Sequence, residues 1–216
     1  AGTGKPMRLA LTMSATATVA SLADGASRVE VQRPATNPEL TKLALTQVPA
    51  AWLQAFVAGL WKDGKLQKGQ LDGQLDVLAS ARAGLAVQGP LRLRDLALET
   101  PDGAIAGDGL NVDLRLVFGQ KAGQRDIALD ASLLGGQLLV GGLYAALPKA
   151  AIAARLRAHQ AGGGDWSMPT LEWHDGAVLD VRGDAAWSPT AGLRALHLAL
   201  ESRDLAHLRD RYLTGW

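Results

Sequence analysis

The chain contains no cysteine, which excludes disulfide scaffolds and thiolate metal sites while leaving its compartment open. Aromatics are scarce, with two Phe, two Tyr and six Trp among 216 residues, and there are only three Ile. Net charge is nearly absent: 22 Lys+Arg stand against 21 Asp+Glu, so there is no electrostatic footprint for nucleic acid. No apolar run reaches the ~18 residues of a membrane-spanning helix. The N-terminus also lacks the basic-then-apolar order of a signal peptide. At 48% apolar and 20% charged the chain is nevertheless no disordered polymer, and its length suits one or two domains. What it has in excess is leucine and alanine, 37 and 38 residues, a third of all positions, which by propensity alone would favour helix.

The order of those residues argues for strand. Periodicity outranks propensity, and the period is two almost throughout. From Leu9 to Val19 apolar residues hold the odd positions, with Thr12, Ser14, Thr16 and Thr18 among the even ones. Gln70, Asp72, Gln74 and Asp76 alternate with Leu71, Gly73, Leu75 and Val77. Leu110, Val112, Leu114, Leu116 and Phe118 alternate with Asn111, Asp113 and Arg115, and Ile127, Leu129, Ala131 and Leu133 with Ala128, Asp130 and Ser132. A strand puts each set on one face, whereas a helix scatters it. Shorter copies occur at Arg28–Gln32, Lys42–Thr46, Ile152–Arg157, Leu171–His174, Leu179–Arg182 and Leu196–Glu201. Turn signals such as Asp24-Gly25, Asp102-Gly103, Gly135-Gly136, Gly162–Gly164 and Asp175-Gly176 separate them. The expected fold is mainly β: an antiparallel meander of about ten to twelve strands, curled into a U-shaped groove or closed as a sandwich, with one or two short amphipathic helices.

One change of register is legible. Leu85, Val87, Leu91 and Leu93 are odd, but the apolar set becomes even at Leu96 and Leu98, so Arg94-Asp95 marks a β-bulge or a break. Two segments have helical spacing instead. Trp52, Leu53, Phe56, Val57, Leu60 and Trp61 form a stripe over Pro49 to Lys62, and Leu205, Leu208 and Tyr212 align over Asp204 to Leu213, with Ser202 or Asp204 as caps.

A search for chemistry returns little. Gly2-Thr3-Gly4-Lys5-Pro6 lacks the full phosphate-loop spacing, and Pro6 replaces the hydroxyl residue that would hold Mg²⁺. The histidines at 159, 174, 197 and 207 fall in four segments, none at the spacing of a helical metal pair. There is no G-x-S-x-G elbow. Glu172 and Asp175 near Trp166, Trp173 and Trp187 form the one arrangement that could mimic a sugar-binding or hydrolase cleft. The expectation is therefore a non-enzyme without metal or cofactor.

Val48-Pro49-Ala50-Ala51-Trp52-Leu53, then Leu60-Trp61, then Gly69-Gln70-Leu71-Asp72-Gly73-Gln74-Leu75 resembles the AsmA-like group of Gram-negative envelope proteins, where a short amphipathic helix precedes a strand of the form G-x-L-x-G-x-L. Gly89–Leu98, Asp102-Gly103, Gly107–Leu110, Gly136–Pro148, Trp166–Gly176 and the closing Arg203-Asp204-Leu205 with Arg211-Tyr212-Leu213 are most similar to its YdbH branch. The resemblance covers residues 48–216 as a helix plus β-meander domain, with residues 1–47 as further strands of the same sheet or a preceding segment. It implies a section of a longer periplasmic bridge, anchored in the inner membrane through a segment outside this chain. Its apolar β-groove would pass phospholipids, or other acyl lipids, between the inner and outer membranes. The lining maps onto Leu71, Leu75, Leu91, Leu93, Leu110, Val112, Leu114, Ile127 and Leu129. The implied partners are phospholipid, the remaining segments of its own longer chain, and other envelope proteins. The alternative is a non-catalytic structural or interaction module of envelope assembly or secretion, with a closed apolar core and an exposed sheet edge that recruits a partner strand.

Overall fold

The computed structural model describes residues 7–54, 64–82, 84–141 and 143–213, and most of them belong to one antiparallel sheet of fourteen strands that does not close. The strands are β1 (Arg8–Met13), β2 (Ala17–Asp24), β3 (Ser27–Pro34), β4 (Leu40–Pro49), β5 (Lys65–Ser80), β6 (Gly84–Glu99), β7 (Ile105–Lys121), β8 (Gln124–Leu134), β9 (Gln137–Val140), β10 (Leu143–Ala146), β11 (Ile152–Gln160), β12 (Trp166–Asp175), β13 (Leu179–Ser188) and β14 (Gly192–Glu201). Twelve run in chain order across the sheet, and β9 and β10 form a hairpin that extends it beside the start of β7. Because β4 spans Leu40–Pro49 and pairs with both β3 and β5, the strands from β1 to β4 belong to the same sheet as the rest.

Among the described residues no second sheet packs on either face, so the sandwich expectation gives way to an open sheet. A 3-10 turn at Ala50–Leu53 and the helix α1 (Leu205–Tyr212) are the only helical elements described. The remainder of the helix expected over Pro49 to Lys62, from residue 55 to residue 62, lies outside the described residues, as do Gly2–Pro6. The alternation read from Leu9 to Val19 is two strands, not one. Ser14 Oγ accepts the N–H groups of Thr16 and Ala17 at 3.3 and 3.1 Å and turns the chain, a local competitor to the ladder that alternation disguises. After the turn the parity reverses: Ala20 and Leu22 face Leu11 and Leu9, and Val19 lies on the other face.

The register break at Arg94-Asp95 is a bulge. Asp95 has φ +51, pairing shifts between Leu93 and Leu96, and its N–H is held by the Asn111 side chain at 3.2 Å. Gln47, at φ +47, makes a matching bulge in β4, its N–H donated to Asp72 Oδ1 at 2.9 Å. Each bulge keeps the leucines on one face where strict alternation would have turned them outward. The two motif glycines of β5 have local reasons. Gly69 has φ +126, and a Cβ there would stand 2.9 Å from Leu96 Cα. At Gly73 a Cβ would collide with the Leu91 side chain at 2.5 Å, so the missing side chain admits that leucine to the face.

Candidate functional site

Pairing by register sorts the sheet into two faces of opposite chemistry. Leu9 lies across from Leu22, Leu22 from Val29, Val29 from Leu45, Leu71 from Leu93 and Leu93 from Val112. The same face continues through Leu133, Ile152, Val181 and Leu200. It is aliphatic from edge to edge. The reverse face is a charge lattice. Asp113 accepts Arg94 at 2.5 Å, Asp130 is held by Arg155 and Arg157 at 3.0 and 2.8 Å, and Glu172 pairs with Arg155 at 2.8 Å. These pairs are solvent-facing and contribute little each. Arg157 and Arg155 hold the Asp130 carboxyl below its usual range, and together the pairs mark this face as the wet one.

All nine residues assigned to the groove share the apolar face, but not one environment. Leu71 and Leu110 are 3% exposed and belong to packed clusters. Leu110 packs with Leu96, Ile152, Leu147, Ala145 and Ala50, and Leu71 with Leu45 and Val48. Leu91, Leu93 and Val112 pack against these clusters. Leu75, Leu114, Ile127 and Leu129 are half-buried on the open part of the face. Trp52 and Leu53 cover the Leu71 end of the buried row, and Tyr212 and Leu147 the Ile152 end. Among the described residues, the rest has no second layer. The chain exposes 13,432 Å², where a compact protein of 22.6 kDa would expose about 9,500 Å².

A strongly apolar hollow of this face is a 580 Å³ cavity under α1. Leu138, Val181, Leu198, Leu200, Leu205 and Leu208 line it, with Trp173 and Tyr212 on its wall. None of the nine assigned residues lines it. Leu198, Leu200, Leu205 and Leu208 are legible as strand and helix positions one by one; that they converge depends on α1 folding back beside β10 and onto the Trp173–Asp175 end of β12.

A buried polar cluster holds that helix in place. Asp175, 6% exposed, pairs with the Arg211 guanidinium and accepts the Tyr212 hydroxyl at 2.8 Å. Trp173 Nε1–H donates to the same phenolic oxygen at 2.9 Å. Asp204 caps the first turn, accepting His207 N–H at 3.1 Å. Burial, reinforced by Asp175, pushes the Tyr212 phenol well above its ordinary value of 10.0. A phenol on an undocked helix ionises near pH 10 while the docked one resists, so docking is intact below pH 10 and weakens progressively above it. Trp fluorescence should show an alkaline transition beginning near pH 10, and Tyr212→Phe should remove it.

The hydrolase-like constellation does not assemble. Glu172 lies on the polar face against Arg155, whereas Asp175 is turned to the apolar face beneath α1; Trp166 and Trp187 oppose each other at the far end of β12 and β13. The four histidines each bond one aspartate: His159 to Asp126, His174 to Asp180, His197 to Asp184 and His207 to Asp204, at 2.7 to 2.9 Å. No group of three or more metal-ligating side chains occurs among the described residues, and no described helix is long and apolar enough to cross a membrane. Comparison with protein-family models, curated proteins and solved structures finds no match to any of them.

Proposed function

We propose that this chain is a section of a lipid-conducting surface of the Gram-negative envelope, lying in the periplasm, with acyl chains held on the apolar face and headgroups at its wet rim. The observation that carries the reading is the continuous leucine face, packed along a single row and otherwise without a second layer among the described residues. Each methylene buried there contributes roughly 0.8 kcal/mol, so aliphatic walls retain an acyl chain without any specific polar contact. The 580 Å³ cavity under α1 falls within the range of small-molecule sites, roughly 300–1,000 Å³. An interaction module calls for a closed core, and among the described residues the packed clusters are confined to that row. Transport on such a surface is passive.

Protein purified without detergent should carry phospholipid visible by native mass spectrometry, and brominated acyl chains should quench Trp173, which lines the cavity. Leu200 is 62% exposed, so Leu200→Asp should leave the far-ultraviolet circular dichroism unchanged while reducing lipid occupancy about tenfold. Lipid-free wild-type protein, with photocrosslinkers on the leucine face also silent, would sink the proposal.

A further inference from the structure

The apolar cavity under α1 opens beside a charged hollow. Glu201, at the end of β14, lines both the 580 Å³ cavity and a polar hollow of 320 Å³. The polar hollow forms at the strand ends, where β12 turns into β13 at Gly176 and Ala177 and the chain leaves β14 for α1. Arg203 N–H donates to Ala177 C=O at 3.0 Å and fixes that exit. We propose that the two hollows form one seat for a phospholipid with an ethanolamine headgroup: one acyl chain in the cavity, the ammonium at Glu201 and the phosphate at Arg203 and Arg182. The assignment rests on the lipid reading above and names the head that this site selects.

Strand register sets the charges of the head site. Asp180 lies directly across from His174 on one side and from Glu201 on the other, and like charges directly opposite each other are destabilising. Asp180 is answered by His174 Nδ1 at 2.9 Å and Arg182 Nε at 3.1 Å. Glu201 has no ion-pair partner among the described residues, so a small cation seated there relieves the repulsion. Arg203 has none either, and Arg182, 74% exposed, spends only its Nε on Asp180. Its terminal N–H groups remain for a phosphate oxygen. The fixed charges of the hollow, Asp180 and Glu201 against Arg182 and Arg203, cancel, which suits a zwitterion better than a net anion. A choline head carries the same charges but has no N–H to donate to Glu201.

The cavity continues inward from that mouth. Leu200, Val181 and Trp173 lie opposite one another on β14, β13 and β12, a floor about 10 Å across, and Leu205 and Leu208 of α1 face the same space. At the packing density of a protein interior, 580 Å³ holds one long acyl chain and not two. The second chain of a diacyl lipid therefore stays on the open leucine face.

A competition between headgroups tests the seat. Vesicles of equal parts ethanolamine, choline and glycerol phospholipid, with isotope-labelled chains of one length, are offered to the full chain without detergent. Native mass spectrometry then reads the bound species. The ethanolamine lipid should be bound about fivefold over either competitor. Glu201→Gln should bring the three near parity, because only the ammonium loses its partner. Arg203→Gln should lower the occupancy of all three about threefold and keep the ethanolamine preference. Both side chains are exposed, so the circular dichroism of both variants should match wild type. Equal binding of the three lipids by wild type, a preference that survives Glu201→Gln, or bound brominated lipid that leaves Trp173 unquenched would each overturn the assignment while lipid binding itself stands. Wild-type protein that binds none of the three would sink the lipid reading and this seat together, so the two failures are distinct results.

Discussion

Asp175→Ala is expected to release α1 from the sheet and open the cavity beneath it. The carboxylate is 6% exposed, and it alone joins the Arg211 guanidinium to the Tyr212 hydroxyl. Its removal leaves a cation and a phenol facing an apolar wall, and breaking a buried pair in this way costs about 3–5 kcal/mol. The effect should fall near the lower figure, because the Arg211 side chain keeps 19% of its exposure and can turn to water. An eight-residue helix has no stability of its own, so undocking and melting of α1 should be one event. Hydrogen exchange should show lost protection confined to residues 205–212, with increased solvent access at Trp173. The sheet ladders should remain protected. Asp175→Asn, which keeps an acceptor for Tyr212 but drops the charge, should lie between wild type and alanine. If the alanine variant keeps α1 protected, the polar cluster is not what holds the helix.

The sheet was legible in the sequence because its signal is local and repeated. Leu110–Phe118 and Ile127–Leu133 alternate strictly, and β7 and β8 place those residues on one face by register. The bulge at Asp95 was legible as well, since a parity change within a leucine run has few other causes. The hairpin between β1 and β2 was not. Its Ser14-Ala15-Thr16 turn contains no Gly or Pro and continues the alternation, so a side-chain hydrogen bond decided what pattern could not. The Gln47 bulge escaped notice for a similar reason: its stabilising partner, Asp72, lies on the next strand. As for the site, parity assigned the face but not depth. Leu71 and Leu110 look like their neighbours in the sequence, yet they are buried because Trp52, Leu147 and Ile152 reach them from distant positions. The cavity needed α1, whose docking rests on the Asp175–Arg211–Tyr212 contacts, with 36 and 37 residues separating the partners.

Leu110→Asp is expected to unfold the domain, whereas the same change at Leu200 is tolerated. Leu110 is 3% exposed and packs with Leu96 at 6% and Ile152 at 0%. A carboxylate placed there must be desolvated, protonated or expelled, and each route costs several kcal/mol. The lost packing adds about 2–5 kcal/mol, as for Leu→Ala in a core. The sum approaches or exceeds the whole stability of a typical domain, about 5–15 kcal/mol. An open sheet is poorly placed to absorb that loss. Its buried apolar residues lie mostly along one row near the bulges, and among the described residues the rest of the leucine face has no second layer to share the load. Leu110→Ala should remain folded with a lower urea midpoint, and Leu110→Asp should lose its far-ultraviolet strand signal at neutral pH. Leu200→Asp should keep the wild-type midpoint. A folded Leu110→Asp protein would mean that the row is not the core of the sheet, and that the leucine face is open along its full extent.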